Sequence, residues 1–132
     1  MKAEVTFHTS STPKKFENVY AVYTKGGLAC IHNIDNMILK YPLCNIYSII
    51  HPYYEDGKIP SKRGSLKEIE LILHSTSAPK RMNVYSVYTK DALLCFHNED
   101  DMAINYPLMN VFSICHPHGD HWGSQMGGGL KK

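Results

Sequence analysis

The chain has 132 residues, 43% of them hydrophobic and 20% charged, with a formal net charge of +2. This composition is ordinary for a soluble globular protein. The charge is too small to argue for nucleic acid by itself, and no apolar run approaches the length of a membrane-spanning helix.

In chain order, the first expected strand covers residues 5–8, followed by a polar turn, STPKKFE, built around Pro13. Residues 19–24, VYAVYT, carry the aromatic and β-branched side chains that favour strands. Lys25-Gly26-Gly27 then makes a tight reversal into a strand at 28–33, a strong hairpin signal. Residues 34–41 admit two readings. Acidic residues after the Asn would suit the first turn of a short helix, or a turn at Asp35-Asn36 would lead into a strand at 37–41. Pro42 favours an extended Tyr41, and the strand reading is preferred. A corner at 43–45 leads to a last strand at 46–51.

The same order then recurs. Residues 4–52 align with 70–117 over 48 positions once Glu17 is set aside as an insertion, and 26 of them are identical. Such self-similarity decides the organisation before any motif does. The expected layout is repeat 1 at 1–53, a linker at 54–68, repeat 2 at 69–118 and a Gly-rich tail at 119–132. Gly57, Pro60 and Gly64 interrupt the linker, and the tail has three consecutive Gly. Each copy alone is near the lower size limit for folding, so the two should pack together as a pseudo-twofold pair or pair between chains. The fold class expected is mainly β, as two tandem meanders or small barrels. The second copy has Asp91-Ala92 where the first has the two Gly, and Ala is poor at positive φ, so that reversal should use another turn type. Along 28–33, Leu28, Cys30 and His32 share one side and Ala29 and Ile31 the other. Apolar residues on both sides suit a strand covered on both faces.

The order of a K-G-G turn, then D-N-M-I-L-K-Y, then P-L-C-N-I-Y-S-I-I-H-P, resembles the Sm-like and SH3-like small barrels over roughly the last two-thirds of each repeat. That resemblance implies RNA or protein binding and no catalysis. Sm-like proteins usually form rings of separate chains, whereas this chain carries two copies; pairing between chains would make it a homo-oligomer.

Cysteines occur at 30, 44, 95 and 115, and only Cys30 and Cys95 are equivalent. With no CxxC pair and no secretory leader, free thiols in a reducing cytoplasm are expected. Six of eight histidines form equivalent pairs: His8 with His74, His32 with His97, and His51 with His116. Cys30, His32 and His51 could hold zinc, but no metal-ligand spacing accompanies them, and no metal or cofactor is assigned. His116, His118, Asp120 and His121, beside Trp122, form a cluster outside the repeated unit that reads as an exposed polar tail. A Cys–His nucleophile lacks its orienting acid and oxyanion site, so no catalytic residue is assigned.

The tyrosines are the better candidates. Tyr20 with Tyr85, Tyr23 with Tyr88, and Tyr41 with Tyr106 recur in both copies. Rings on a strand face beside basic loops could stack bases. The expectation is a non-catalytic binder of RNA, DNA or a nucleotide at the repeat junction. The ligand set is Tyr20, Tyr23, Lys25, His32, Asn33 and His51, with Tyr85, Tyr88, Lys90, His97, Asn98 and His116. Lys14, Lys15, Lys80 and Arg81, placed on matching loops, would contact phosphate. The alternative is a protein-interaction adaptor.

Overall fold

A computed structural model describes residues 1–53, 64–76 and 78–117. The chain is mainly β. Its first half contains β1 (Ala3–Phe7), β2 (Lys14–Phe16), β3 (Val19–Lys25), β4 (Leu28–Asn33), β5 (Ile38–Pro42) and β6 (Ile46–Pro52). The second half contains β7 (Lys67–Leu73), β8 (Lys80–Lys90), β9 (Leu93–Asn98), β10 (Met102–Pro107) and β11 (Val111–Cys115). Single 3₁₀ turns at Leu43–Asn45 and Leu108–Asn110 make the corners before β6 and β11.

Local chemistry accounts for the turns. Gly26 and Gly27 both take positive φ, 60° and 78°, as a two-residue hairpin with two left-handed positions requires. Between β8 and β9 Asp91 alone adopts positive φ, so Ala92 is spared that strain and the turn type differs. Residues 34–37 form the turn between β4 and β5, so the strand reading holds and no helix forms there.

Two expectations are corrected. Lys14 and Lys15 lie on β2, and Lys80 and Arg81 open β8, so these cations sit on strands and not on loops. Cross-strand pairing explains the change: β2 pairs with β1 from Ala3↔Phe16 to Val5↔Lys14, and β8 with β7 from Lys67↔Val84 to Leu71↔Lys80. The second half runs one 11-residue strand where the first half has two. The extra Glu17, next to Asn18 at φ 56°, interrupts the ladder there.

Eight strands form one sheet in the order β11-β7-β8-β9-β10-β6-β1-β2, and β3-β4-β5 form a second. The halves join where β6 pairs antiparallel with β10. Their cores interlock there. Leu93 and Cys95 of the second half pack with Ala3, Val5, Ile31, Leu43 and Ile49 of the first, and Tyr47 packs against the Leu71–Val87–Phe96 cluster of the second. Two buried amides stitch the seam. Asn105 Nδ2 donates to the Ile49 carbonyl at 3.1 Å, and Asn110 Nδ2 donates to the Ile46 carbonyl at 2.7 Å. Among the described residues no helix is long and apolar enough to cross a membrane.

Candidate functional site

The site starts from a strand irregularity. Along β3–β4 the register shifts between Val19 and Ala21, which leaves Tyr20 on the bulge; along β8–β9 it shifts between Val84 and Ser86, at Tyr85. A bulge re-aims the side chain it carries. Both rings are thereby turned toward the histidine of the neighbouring strand, Tyr20 to His32 at 5.2 Å and Tyr85 to His97 at 5.0 Å between centroids.

The loop after each histidine is built alike. Asn33 Oδ1 accepts from the backbone N–H groups of Asp35 and Met37, both at 3.0 Å. Asn98 Oδ1 accepts from those of Asp100 and Met102, both at 2.9 Å. These side chains shape the turn, as short Asx side chains do. The turn brings a polar residue back to the imidazole. His32 Nε2 donates to Asn36 Oδ1 at 2.8 Å, and His97 Nε2 to Asp101 Oδ1 at 3.2 Å. Asn36 and Asp101 both sit at positive φ, 64° and 61°.

One difference separates the two niches. In the second half the ring of Tyr53 lies flat on His97, 3.8 Å between centroids and 3° between planes. Its backbone N–H donates to the Asp101 carbonyl at 2.9 Å, and it shares a hydrogen bond with Tyr88. His97 is 3% exposed as a result. In the first half Tyr20 is 70% exposed, and Tyr20, His32, Asn33, Ile34 and Asn36 line an open cleft of about 340 Å³.

The seam between the halves gathers a second group. Tyr23, His51, Tyr88 and Lys90 line a small cavity of about 70 Å³, with Thr24, Asp91 and Asn105. The Thr24 hydroxyl is buried there without a hydrogen-bond partner. Burial pushes the His51 imidazole below its ordinary value; its hydrogen bond to the Pro52 carbonyl opposes the shift and the Lys90 ammonium adds to it. Burial raises Tyr88 well above the usual tyrosine range and pushes the Cys95 thiol up to about 12. A thiol so protonated is a poor nucleophile. A cavity of this size falls far below the roughly 300–1,000 Å³ of small-molecule pockets.

The sequence-derived set therefore divides. Tyr20, His32 and Asn33 meet at the open cleft; Tyr85 and His97 meet in the closed niche, on the loop that Asn98 shapes; Tyr23, His51, Tyr88 and Lys90 meet at the seam. His116 lies in a groove of about 430 Å³ with Glu68, Glu70, Arg81 and Cys115. Lys25 is exposed at the hairpin and lines none of these. Lys14, Lys15 and Lys80 are exposed, Lys14 lies over the Phe16 ring at 5.7 Å, and Arg81 pairs with Glu70 at 3.3 Å. Tyr41 packs on Phe7 at 4.9 Å, and Tyr106 is buried beside Phe96, so this pair serves the core. Among the described residues no three His, Cys, Asp or Glu side chains converge as a metal site. His118, Asp120, His121 and Trp122 lie outside the described residues, as does most of the expected linker.

Sequence reasoning missed Tyr53 and Asn36. Tyr53 has no tyrosine counterpart in the second copy, and Asn36 is replaced there by Asp101, so a search for shared residues passes over both. No protein-family model matches the chain, and comparison with curated proteins and with solved structures finds no match.

Proposed function

We propose that this chain is a non-catalytic binding protein for single-stranded nucleic acid, with the cleft of Tyr20, His32 and Asn36 as a base-binding niche. We read its architecture as two tandem units, each a small Sm-like or SH3-like barrel. The observation that carries the function is the Tyr53 ring stacked on His97 at 3.8 Å and 3°. It supports the view that this local geometry accepts a flat ring, and the equivalent position over His32 is open to solvent. A nucleobase has the same planar shape, and stacking on an aromatic ring contributes about 1–3 kcal/mol per base whatever the base. Asn36, beside His32, can meet the polar edge of the base. The exposed Lys14 and Lys15 supply phosphate contacts.

The test is a fluorescence titration with short single-stranded homo-oligonucleotides at stepped salt. Binding should weaken as salt rises, and Tyr20→Ala should weaken it about 5- to 150-fold, the equivalent of one stacked base. Lys14→Ala should lower the salt slope by about one phosphate's share. Absence of binding at low salt, or full affinity in Tyr20→Ala, would sink the reading.

A further inference from the structure

The seam inside the chain joins strands that are not counterparts. In the alignment β6 corresponds to β11 and β10 to β5, yet β6 pairs with β10. The chain thus retains one strand of each type with an open edge, since β5 and β11 are both terminal strands of their sheets.

Exposure shows what the seam covers. On β10, Ala103 is 2% and Asn105 4% exposed, while the β5 counterpart of Ala103, Ile38, is 43% exposed. Met37 and Leu39 on the same edge are 64% and 42% exposed. Phe112 of β11 is 67% exposed, whereas its counterpart Tyr47 packs against Tyr106 across the seam. Natural proteins blunt open edges to prevent strand pairing. Here the charged residue on β5 is Lys40, and apolar side chains surround it.

The receiving side is already built in the form the seam uses. His74 meets Phe112 edge-on at 5.8 Å and 81°, as His8 meets Tyr47 at 6.1 Å and 82°. His116 Nδ1 donates to the Pro117 carbonyl at 2.8 Å, as His51 Nδ1 does to Pro52 at 2.9 Å. Across the seam, His8 Nε2 donates to Asn110 Oδ1 at 3.2 Å while the Asn110 amide donates to Ile46 and Tyr47 carbonyls. The counterparts His74 and Asn45 are both present, and Asn45 is exposed where Asn110 is buried.

We propose that a second copy of this chain pairs its β5 with β11 of the first, antiparallel, repeating the internal seam. The internal register Met102↔Pro52, Ala103↔His51, Ile104↔Ile50 and Asn105↔Ile49 fixes the register between copies. It becomes Met37↔Pro117, Ile38↔His116, Leu39↔Cys115 and Lys40↔Ile114. The Asn45 amide then donates to the Val111 and Phe112 carbonyls, and His74 donates to Asn45 Oδ1. The Lys40 ammonium, on its flexible stem, takes the place of the Asn105 amide. The contact is heterologous, so every copy offers one edge and accepts another, and the assembly grows head to tail until it closes into a ring or extends as a fibre. The repeated seam runs past His32, as the internal seam brings Tyr53 onto His97, so pairing and base binding compete for that niche, and the pairing is measured without oligonucleotide.

The test uses the full chain. Light scattering on a sizing column and native mass spectrometry, across a wide concentration range, should find multiples of the 15.0 kDa chain mass. Ile38→Asp and Phe112→Asp, both exposed in the single chain and checked for fold by circular dichroism, should each reduce every species to one chain mass. In a Cys44→Ser background, Leu39→Cys should cross-link to Cys115 of the next copy under mild oxidation and give a ladder on a non-reducing gel. A single-chain mass at every concentration overturns the proposal. So do multimers that persist in Ile38→Asp, or a Leu39→Cys chain that cross-links no more than its parent.

Discussion

Asn110 offers a direct test of how the seam is held. Its Nδ2 donates to the Ile46 carbonyl at 2.7 Å and reaches the Tyr47 carbonyl at 3.3 Å, and its Oδ1 accepts from His8 at 3.2 Å. The residue is 9% exposed, so water does not readily replace what is lost. Truncation to Ala removes two good hydrogen bonds, each about 0.5–1.5 kcal/mol net, and leaves a shielded carbonyl and imidazole short of partners. The expected cost is about 2–4 kcal/mol. With a urea slope of about 2 kcal/mol per molar, that lowers the unfolding midpoint by about 1–2 M. Asn45→Ala is the internal control. Asn45 occupies the equivalent corner, is exposed, and among the described residues its side chain hydrogen-bonds only with the Cys44 thiol, at 3.8 Å. At concentrations where the chain is single, it should change stability by less than about 0.5 kcal/mol. Equilibrium urea unfolding followed by tyrosine fluorescence measures both. Equal shifts in the two variants, or a negligible shift in Asn110→Ala, would refute the account of the seam.

Tyr53→Ala should uncover His97, cost about 1–2 kcal/mol through the lost stack and hydrogen bond, and raise the oligonucleotide stoichiometry from one site to two; calorimetric titration reads the stoichiometry. His51 is held neutral by burial, so its folded value lies below the unfolded 6.5. Its contribution is therefore intact above about pH 6.5 and is lost as pH falls below it, since the unfolded chain then binds the proton more readily. Unfolding midpoints measured from neutral pH to about pH 5 should fall less steeply in His51→Asn than in the parent. Cys44 and Cys115 are exposed while Cys30 and Cys95 are buried, so in the single chain a thiol reagent should modify two cysteines rapidly and all four only after unfolding.

Much of the strand plan was legible in the chain. The Gly26-Gly27 reversal, the Asn33 and Asn98 turns and the Tyr-Pro-Leu corners are decided within a few residues, where backbone sterics and short side chains act. The alternating apolar residues of 28–33 likewise announced a strand covered on both faces, and Ala29, Cys30 and Ile31 are all buried. The β2 strand escaped notice because Lys14–Phe16 carries little strand signal of its own and gains its conformation from pairing with β1.

The candidate site was half legible. Tyr20, His32 and Asn33 were found as recurring residues, but recurrence could not say which copy is open. His32 and His97 have similar local sequences, and among the described residues it is the ring of Tyr53, placed by the β6–β10 seam, that covers His97, while His32 lines an open cleft. The same holds for Asn45 and Asn110, alike in sequence and opposite in burial. Sequence by itself determined the turns and the strand periodicity, because those depend on near neighbours. Tertiary structure alone decided which edges pair and which rings are covered, because those follow from contacts between residues more than forty positions apart, such as Tyr53 with His97 and Asn105 with Ile49.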